Sequence, residues 1–457
     1  MTGEQATIAA ISTPMAAGGL GVVRISGPEA LQIAARVFRP VGTRTIQNVD
    51  GYTGIFGRVF DRAGDIDEAV ALVFHGPKSY TGEDVVELSC HGGLYLLQRL
   101  LRAILDAGAA PAGPGEFTKR AFLNGKLGLT QAEAVMDLIS AQGKQASRSA
   151  LAAHDGVLYQ KIDAVKSRLI TLGGHISAWI DYPEEDIEAL EMDSLSQELR
   201  GMQVSLQKLL DSFEIGKLLR EGIDTAIIGK PNVGKSTLMN LLAGEQKSIV
   251  TDIPGTTRDV VEDTVRLGDL VLRLADTAGI RTTDDPVEKQ GVRLAQKRLE
   301  SASLVLGVFD NADELTEHDI QLIERIKERP AVAVINKADL LKKLDIEYIK
   351  DHIQHIVMIS ASTGDGLEEL IEAIREVLQL NHLDEQAAML STERQRNCTQ
   401  RALQSIGEAI DALTTGMTLD AVDVCLEDAV SALLELTGER VTDVVVDEVF
   451  SHFCVGK

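Results

Sequence analysis

The chain has 457 residues, and at roughly 100 to 200 residues per domain that length predicts about three domains. Lys and Arg total 45 against 69 Asp and Glu, a formal net charge of −24, which excludes a blanket electrostatic grip on nucleic acid and argues against DNA as a partner. Hydrophobic residues make up 44% and charged residues 25%, as in an ordinary globular protein, and an aromatic content of 4% excludes a base-stacking surface as the main device.

Cys90, Cys398, Cys425 and Cys454 are far apart with no C-x-x-C pair. Neither a disulfide framework nor a zinc ribbon is supported, and a reducing cytoplasm is the expected location. The uncharged stretch from Gln5 to Val23 contains Pro14 and several glycines and has no basic flank, so it reads as neither a signal peptide nor a membrane span.

Residues 1–118 read as short β runs at Thr7 to Ile11, Gly21 to Ile25, Ala69 to Phe74 and Val85 to Ser89, with an apolar helix near Leu94 to Leu105. That texture predicts a compact α+β domain. Proline is absent between Pro114 and Pro183, and residues 119–216 carry helical spacing instead, as at Ile162, Val165, Leu169, Leu172 and Ile176. In residues 217–380, apolar strands alternate with helices: Thr225 to Gly229, Leu270 to Ala275, Leu304 to Phe309, Ala331 to Ile335 and Ile356 to Ile359. Such alternation predicts a mostly parallel sheet with helices on both faces. Residues 381–457 return to helical spacing at Leu403, Ile406, Ile410 and Leu413. The fold class predicted is therefore a multidomain α/β plus α protein, with a Ras-like P-loop domain inserted into a discontinuous all-α domain.

Gly229 to Ser236 matches G-x-x-x-x-G-K-[ST], after an apolar strand and before the apolar helix Thr237 to Leu242. Its glycines let backbone N–H groups wrap phosphates, Lys235 supplies a point charge, and the Ser236 hydroxyl suits Mg²⁺. Asn232, Val233, Gly234, Lys235, Ser236 and Thr237 are the expected GTP contacts here. Asp276, Thr277, Ala278 and Gly279 close the next strong strand, placing a carboxylate by the Mg²⁺ shell and a glycine N–H by the γ-phosphate. Asn336, Lys337 and Asp339 follow a third strand. The Asp339 carboxylate can accept from guanine N1–H and the exocyclic amine, a pair adenine cannot make. Ser360, Ala361 and Ser362 offer a backbone N–H to the guanine oxygen. In this order the motifs resemble the translation-factor-like P-loop GTPases.

The polar loop Thr251, Asp252, Ile253, Pro254, Gly255, Thr256 and Thr257 lies between the first two motifs and is long enough to fold over the phosphates. Thr257 is the natural switch threonine, a second Mg²⁺ ligand and part of the catalytic set with Lys235. After Gly279 comes Ile280, where Ras-like enzymes carry a water-orienting glutamine. An apolar residue cannot orient water, so catalytic help must come from elsewhere.

Longer strings are more specific. Gly18 to Gly27 (GGLGVVRISG), Tyr80 to Leu88 (YTGEDVVEL), His91 to Gly93, Pro114 to Lys126 (PGEFTKRAFLNGK) and the terminal Phe453 to Lys457 (FCVGK) resemble the MnmE, or TrmE, family of tRNA-modifying GTPases along the whole chain. The resemblance implies an N-terminal domain that binds 5-formyltetrahydrofolate and forms a homodimer, and an FAD-dependent partner protein in a heteromeric complex. It further implies installation of an aminomethyl-type or carboxymethylaminomethyl group at C5 of the wobble uridine of certain tRNAs. Arg24, Glu87, Lys126 and Lys457 are the folate contacts that it implies. It also supplies what Ile280 cannot: paired G domains, a K⁺ near the β and γ phosphates held by Asn232, Thr251, Ile253 and Thr256, and Glu288 to orient the attacking water. Cys454, close to Lys457, is a candidate for the modification chemistry.

Two other classes share the G-domain motifs: a ribosome-assembly GTPase that binds rRNA, and a regulatory switch with no chemistry beyond slow hydrolysis. The first calls for a basic RNA-binding module, whereas the last 40 residues hold nine acidic against two basic side chains. His352 and His355 form H-x-x-H with no further ligand at useful spacing, and no metal is expected there.

Overall fold

The computed structural model describes residues 6–181, 192–244, 263–275, 299–300, 302–382 and 387–457. They belong to two compact units, residues 1–136 with 434–457 and residues 137–433. Among the described residues no helix is long and apolar enough to cross a membrane.

The first unit opens with β1 (Ile8–Ile11), β2 (Gly18–Ser26), α1 (Ala30–Val37), β3 (Phe38–Pro40), β4 (Thr53–Asp61), β5 (Gly64–Phe74), β6 (Val85–Gly92), α2 (Leu94–Asp106), β7 (Ala110–Pro111) and α3 (Glu116–Leu123). The strands form one seven-stranded sheet in the order β3-β4-β5-β6-β2-β1-β7. Pairing is antiparallel except between β1 and β7. Side chains alternate across each strand, so β1 sends Ala9 and Ile11 into the core under α1 and α2, and Ile8 and Ala10 to the opposite face against Phe117 of α3. The sequence reading contains neither α1 nor β4. Gly54 and Gly57 interrupt the apolar alternation of β4, yet Gly57 is needed where β3 crosses, because a Cβ there would sit 2.4 Å from the Arg39 carbonyl oxygen.

Helix α4 (Leu129–Ser140) begins in the first unit. The second holds α5 (Lys144–His154), α6 (Val157–Asp181), α7 (Met192–Asp211) and α8 (Phe213–Glu221). In α6 the buried residues Leu158, Ile162, Val165, Leu169, Leu172 and Ile176 recur every three or four positions and form a single apolar stripe. Gly222, at φ +87°, ends α8 and turns the chain into β8 (Ile223–Ile228). There follow α9 (Lys235–Gly244), β9 (Asp263–Leu267), β10 (Leu270–Ala275), β11 (Leu304–Asp310), α10 (Glu317–Ile326), β12 (Ala331–Asn336), α11 (Glu347–Lys350), β13 (His355–Met358) and α12 (Leu367–Val377). The sheet order is β13-β12-β11-β8-β10-β9, parallel except for β9 at one edge. Strands β11 and β12 read as nearly unbroken apolar runs because both faces are covered: α9 and α12 pack on one side, α10 and α11 on the other. Helix α13 (Glu393–Thr414), capped by Thr392, packs along α7.

Helix α14 (Leu419–Thr437) leads to α15 (Asp443–Ser451), which returns to the first unit. Val446, Phe450 and Phe453 pack there with Leu129, Ala132 and Phe122. The last residues continue along the start of α3: the Gly115 N–H donates to the Cys454 carbonyl at 3.3 Å, and the Phe117 N–H to the Lys457 carbonyl at 3.1 Å. Gly456 is required by close approach, since a Cβ would lie 2.3 Å from the Ile11 carbonyl oxygen.

A buried charge network fastens α3 to the sheet. Arg120, 5% exposed, donates to both carboxylate oxygens of Glu83, to Glu116 and to the Ala6 carbonyl, while the Ser26 hydroxyl donates to Glu83 at 2.6 Å. Replacing Arg120 with Met leaves two carboxylates without their cation, a loss of about 3–5 kcal/mol. Urea unfolding followed by near-UV circular dichroism should show the first unit melting at clearly lower denaturant in Arg120→Met; an unchanged transition would contradict this account of the network.

Candidate functional site

The loop between β8 and α9 carries the phosphate-binding pattern, and its backbone explains its residues. Gly229 lies so close to β11 that a Cβ would fall 2.4 Å from the Val308 carbonyl oxygen. Gly234 has φ +94°, and a Cβ there would sit 2.2 Å from Nδ2 of Asn336. Asn232 takes the left-handed conformation at φ +66°, a conformation that non-glycine residues adopt at a cost of about 1–3 kcal/mol. The Lys235 ammonium donates to the carbonyls of Gly229 and Lys230, both at 2.8 Å. Burial pulls its pKa below that of an ordinary lysine. Ser236 and Thr237, on the first turn of α9, are exposed, where helix N–H groups and dipole favour an anion.

Asn336, at the end of β12, joins this loop to the one after β13. Its Nδ2 donates to the Val233 carbonyl at 2.8 Å and its Oδ1 accepts from the Ala361 N–H at 3.0 Å, with the side chain buried. Lys337, also left-handed at φ +63°, donates to the Asn232 carbonyl at 3.0 Å and pairs with Asp310 of β11. Asp339 is exposed, available to accept from a base, and the Ser360 and Ser362 hydroxyls lie 3.0 Å apart in the adjoining turn. The structure thus ties Asn232 and Val233 by hydrogen bonds to Lys337 and Asn336, and Asn336 to Ala361, with Gly234 packed against the Asn336 carboxamide and Lys235 bonded within its own loop. Asp310 is a participant that the sequence reading missed; its only signal was its place at the end of an apolar strand. The expected contacts at Thr251, Asp252, Ile253, Pro254, Gly255, Thr256, Thr257, Asp276, Thr277, Ala278, Gly279 and Glu288 lie outside the described residues.

In the first unit, Arg24 and Glu87 are cross-strand partners on β2 and β6, and their side chains pair at 2.8 Å. The Arg24 guanidinium stands 5.5 Å from the ring centroids of both Tyr80 and Phe117. The Lys457 carbonyl is held by the N–H of that same Phe117, so the C-terminus ends beside the pair. The Lys126 ammonium donates to the Pro77 carbonyl at 2.9 Å, on the loop that carries Tyr80. Tyr80 and Phe117 were not foreseen as site residues, although both lie in the strings that carried the family resemblance. Cys454 is half-buried and free, with its carbonyl engaged by Gly115. A separate recess of about 630 Å³ is lined by Ile8, Pro111, Lys119, Arg120, Asp447 and Phe450 among others, and none of the four folate candidates lines it.

Of the donors expected at the cation sites, Ser236 and Asn232 lie among the described residues. The exposed Ser236 hydroxyl is a hard oxygen donor at a helix N-terminus, suited to Mg²⁺ beside phosphate, and the exposed Asn232 amide oxygen suits a monovalent cation. The Arg24 and Glu87 pair, with the Tyr80 and Phe117 rings near the guanidinium, offers charge, hydrogen-bonding groups and aromatic surface to a ligand. His352 and His355 do not converge: His352 stacks on Tyr348 and faces Glu324, whereas His355 faces Glu376. Among the described residues no cluster of His, Cys, Asp or Glu could hold a metal ion.

A parallel sheet with a phosphate loop after its central strand and an Asn-Lys-x-Asp turn after another defines a P-loop GTPase. Comparison with known proteins gives the family. The description "MnmE helical domain" matches residues 129–454 and "GTP-binding protein TrmE N-terminus" residues 7–126. The tRNA modification GTPase MnmE of Clostridioides difficile (strain 630) is 40% identical over 454 residues, covering 99% of each chain. That of Carboxydothermus hydrogenoformans is 41% identical over 457 residues, again covering 99% of each. The G domain of the T. maritima FeoB iron transporter is 28% identical over 34% of this chain and 98% of its own, with a TM-score of 0.26. The chain belongs to the MnmE family of tRNA modification GTPases.

Truncating Asn336 to Ala removes both tethers between the two loops and leaves the buried Val233 carbonyl and Ala361 N–H without these partners, a loss of about 3 kcal/mol in the binding-competent loop arrangement. Titration with a fluorescent guanine nucleotide should show affinity for GDP and GTP falling together by roughly a hundredfold.

Proposed function

We propose that this chain hydrolyses GTP to drive a tRNA modification in which, with an FAD-dependent partner, a tetrahydrofolate one-carbon unit is used to build an aminomethyl or carboxymethylaminomethyl group at C5 of the wobble uridine. The observation that carries the reading furthest is the joint occurrence, in one family member, of the Asn336-tethered phosphate loop and the Arg24–Glu87 pair framed by Tyr80 and Phe117.

Lys235, steadied by the carbonyls of Gly229 and Lys230, supplies its charge to the β and γ phosphates, and Asp339 reads the guanine edge. Ser236 and Thr257 would hold Mg²⁺; Asn232, through its side-chain oxygen, and Thr251, Ile253 and Thr256, through backbone carbonyls, would hold K⁺. When bound, these cations offset the negative charge that develops on the transferring phosphoryl group. Glu288 orients the attacking water, the task for which Ile280 has no polar group. Pairing of two G domains across the nucleotide face brings the loop of Thr251 to Thr257 over the phosphates and excludes bulk water. Arg24, Lys126 and Lys457 hold the acidic tail of the folate and Glu87 its pterin N–H groups, on an N-terminal domain that also dimerises. Cys454, three residues before Lys457, is the candidate for a role in the modification chemistry.

Replacing Glu288 with Gln should leave GTP affinity within about twofold of the parent while lowering kcat at least a hundredfold; turnover near the parent's would reassign the water-orienting role. Calorimetric titration with 5-formyltetrahydrofolate should show saturable binding to the full chain and binding weakened at least tenfold in a chain lacking Lys457, as expected when one charged hydrogen bond is lost. Absence of binding to the full chain would remove the folate-dependent part of the reading.

A further inference from the structure

Lys230, the residue after Gly229, sends its side chain to the segment between β11 and α10 and to the first turn of α10. Its ammonium lies 2.9 Å from Oδ2 of Asp313 and 3.2 Å from Oδ2 of Asp319, and is 14% exposed. Asp319 is 2% exposed and occupies the third position of α10, where the same Oδ2 accepts from the Thr316 N–H at 2.9 Å and the Thr316 hydroxyl at 2.6 Å. Its other oxygen is buried without a partner. Lys230 is therefore the cation that compensates a carboxylate held deep in the domain by the helix cap. Burial alone would lower the Lys230 pKa, but the bonds to Asp313 and Asp319 outweigh it and keep the ammonium charged.

The backbone of the same residue does something different. The Lys230 carbonyl accepts from the Lys235 ammonium at 2.8 Å, beside the Gly229 carbonyl. A single residue thus links the capped start of α10, through its side chain, to the phosphate-facing lysine, through its peptide. The far end of the loop is tied independently, at Asn232 by Lys337 and at Val233 by Asn336. Without the Lys230 anchor, the first half of the loop retains the Lys235 bonds to its carbonyls and its close approach to β11 at Gly229, but loses its side-chain tie to α10.

We propose that Lys230 is a positioning residue for the nucleotide, anchored on Asp319 and Asp313 so that its peptide presents Lys235 and the loop N–H groups to the phosphates. The inference rests on the GTP-hydrolysis reading above. A loop held in place binds ground state and transition state alike, so its loosening raises KM and spares kcat. The test compares full-length Lys230→Met, Lys230→Arg and Asp319→Asn with the parent, measuring KM and kcat for GTP, GTP affinity by titration, and the thermal midpoint.

Lys230→Met should raise KM roughly tenfold or more with kcat within about twofold, and Lys230→Arg should return KM to within about threefold of the parent. Asp319→Asn, whose amide oxygen still caps the Thr316 N–H, should move KM in the same direction as Lys230→Met. A parent-like KM in Lys230→Met, or equal impairment by Met and Arg, overturns the proposal, because a purely structural lysine would shift the thermal midpoint without the KM split or the rescue. If Lys230→Met does not fold, Asp319→Asn decides, and an unchanged KM there overturns the proposal. A parent that binds GTP without hydrolysing it would contradict the hydrolysis reading alone, and the affinities would then carry the comparison of variants.

Discussion

One carboxamide holds the nucleotide-binding half of this protein in register. Asn336 stands at the end of a fully buried strand, and its donor and acceptor ends point at two different loops, the Val233 carbonyl and the Ala361 N–H. Only a side chain with both functions at that length can satisfy the two buried backbone groups together. Other features follow from it. Gly234 must lack a side chain because the carboxamide occupies the space where a Cβ would go. Lys337, next along, is turned into the left-handed region and reaches the Asn232 carbonyl, so the strain at both residues is offset by hydrogen bonds across the same junction.

The N-terminal unit applies comparable logic with charges in place of amides. Arg120 on α3 gathers Glu83, Glu116 and a backbone carbonyl beneath the sheet, and the C-terminal residues run antiparallel past the start of that helix. The backbone of Lys457 is thereby fixed to Phe117, whose ring faces Arg24. A chain terminus more than 300 residues distant becomes part of the same neighbourhood as β2 and β6 by two backbone contacts and a glycine that permits close approach to β1.

Contiguous patterns were readable in advance. The strands Leu304 to Phe309 and Ala331 to Ile335 stand out as apolar runs because both faces of a parallel sheet are covered, Leu270 to Ala275 stands out by its alternating leucines, and the α6 stripe stands out because its period matches the helix. Less regular elements were not readable. Strand β4 carries two glycines that local preference reads as breaks, β9 is a short edge strand with polar alternation, and α1 spaces Ala30, Ile33, Ala34 and Val37 as a helix does but over only eight residues. Tyr80, Phe117 and Arg120 were visible as letters, but their proximity to Arg24 or Glu83 depends on pairing between β2 and β6 and on the docking of α3, which no local pattern encodes.

By itself the sequence determined the chemical class of this protein: a phosphate loop, a guanine-reading turn and strings specific enough to point to one family, because each of these is a short run whose residue types act on neighbouring backbone. Only the tertiary structure decided which side chains hold those runs in shape. Lys230 meeting Asp319, Asn336 meeting Val233 and Ala361, and Lys457 meeting Phe117 are contacts between segments tens to hundreds of residues apart. Their geometry is set by sheet order and helix docking, and so by the burial of apolar surface across the whole domain rather than by any local stretch of chain.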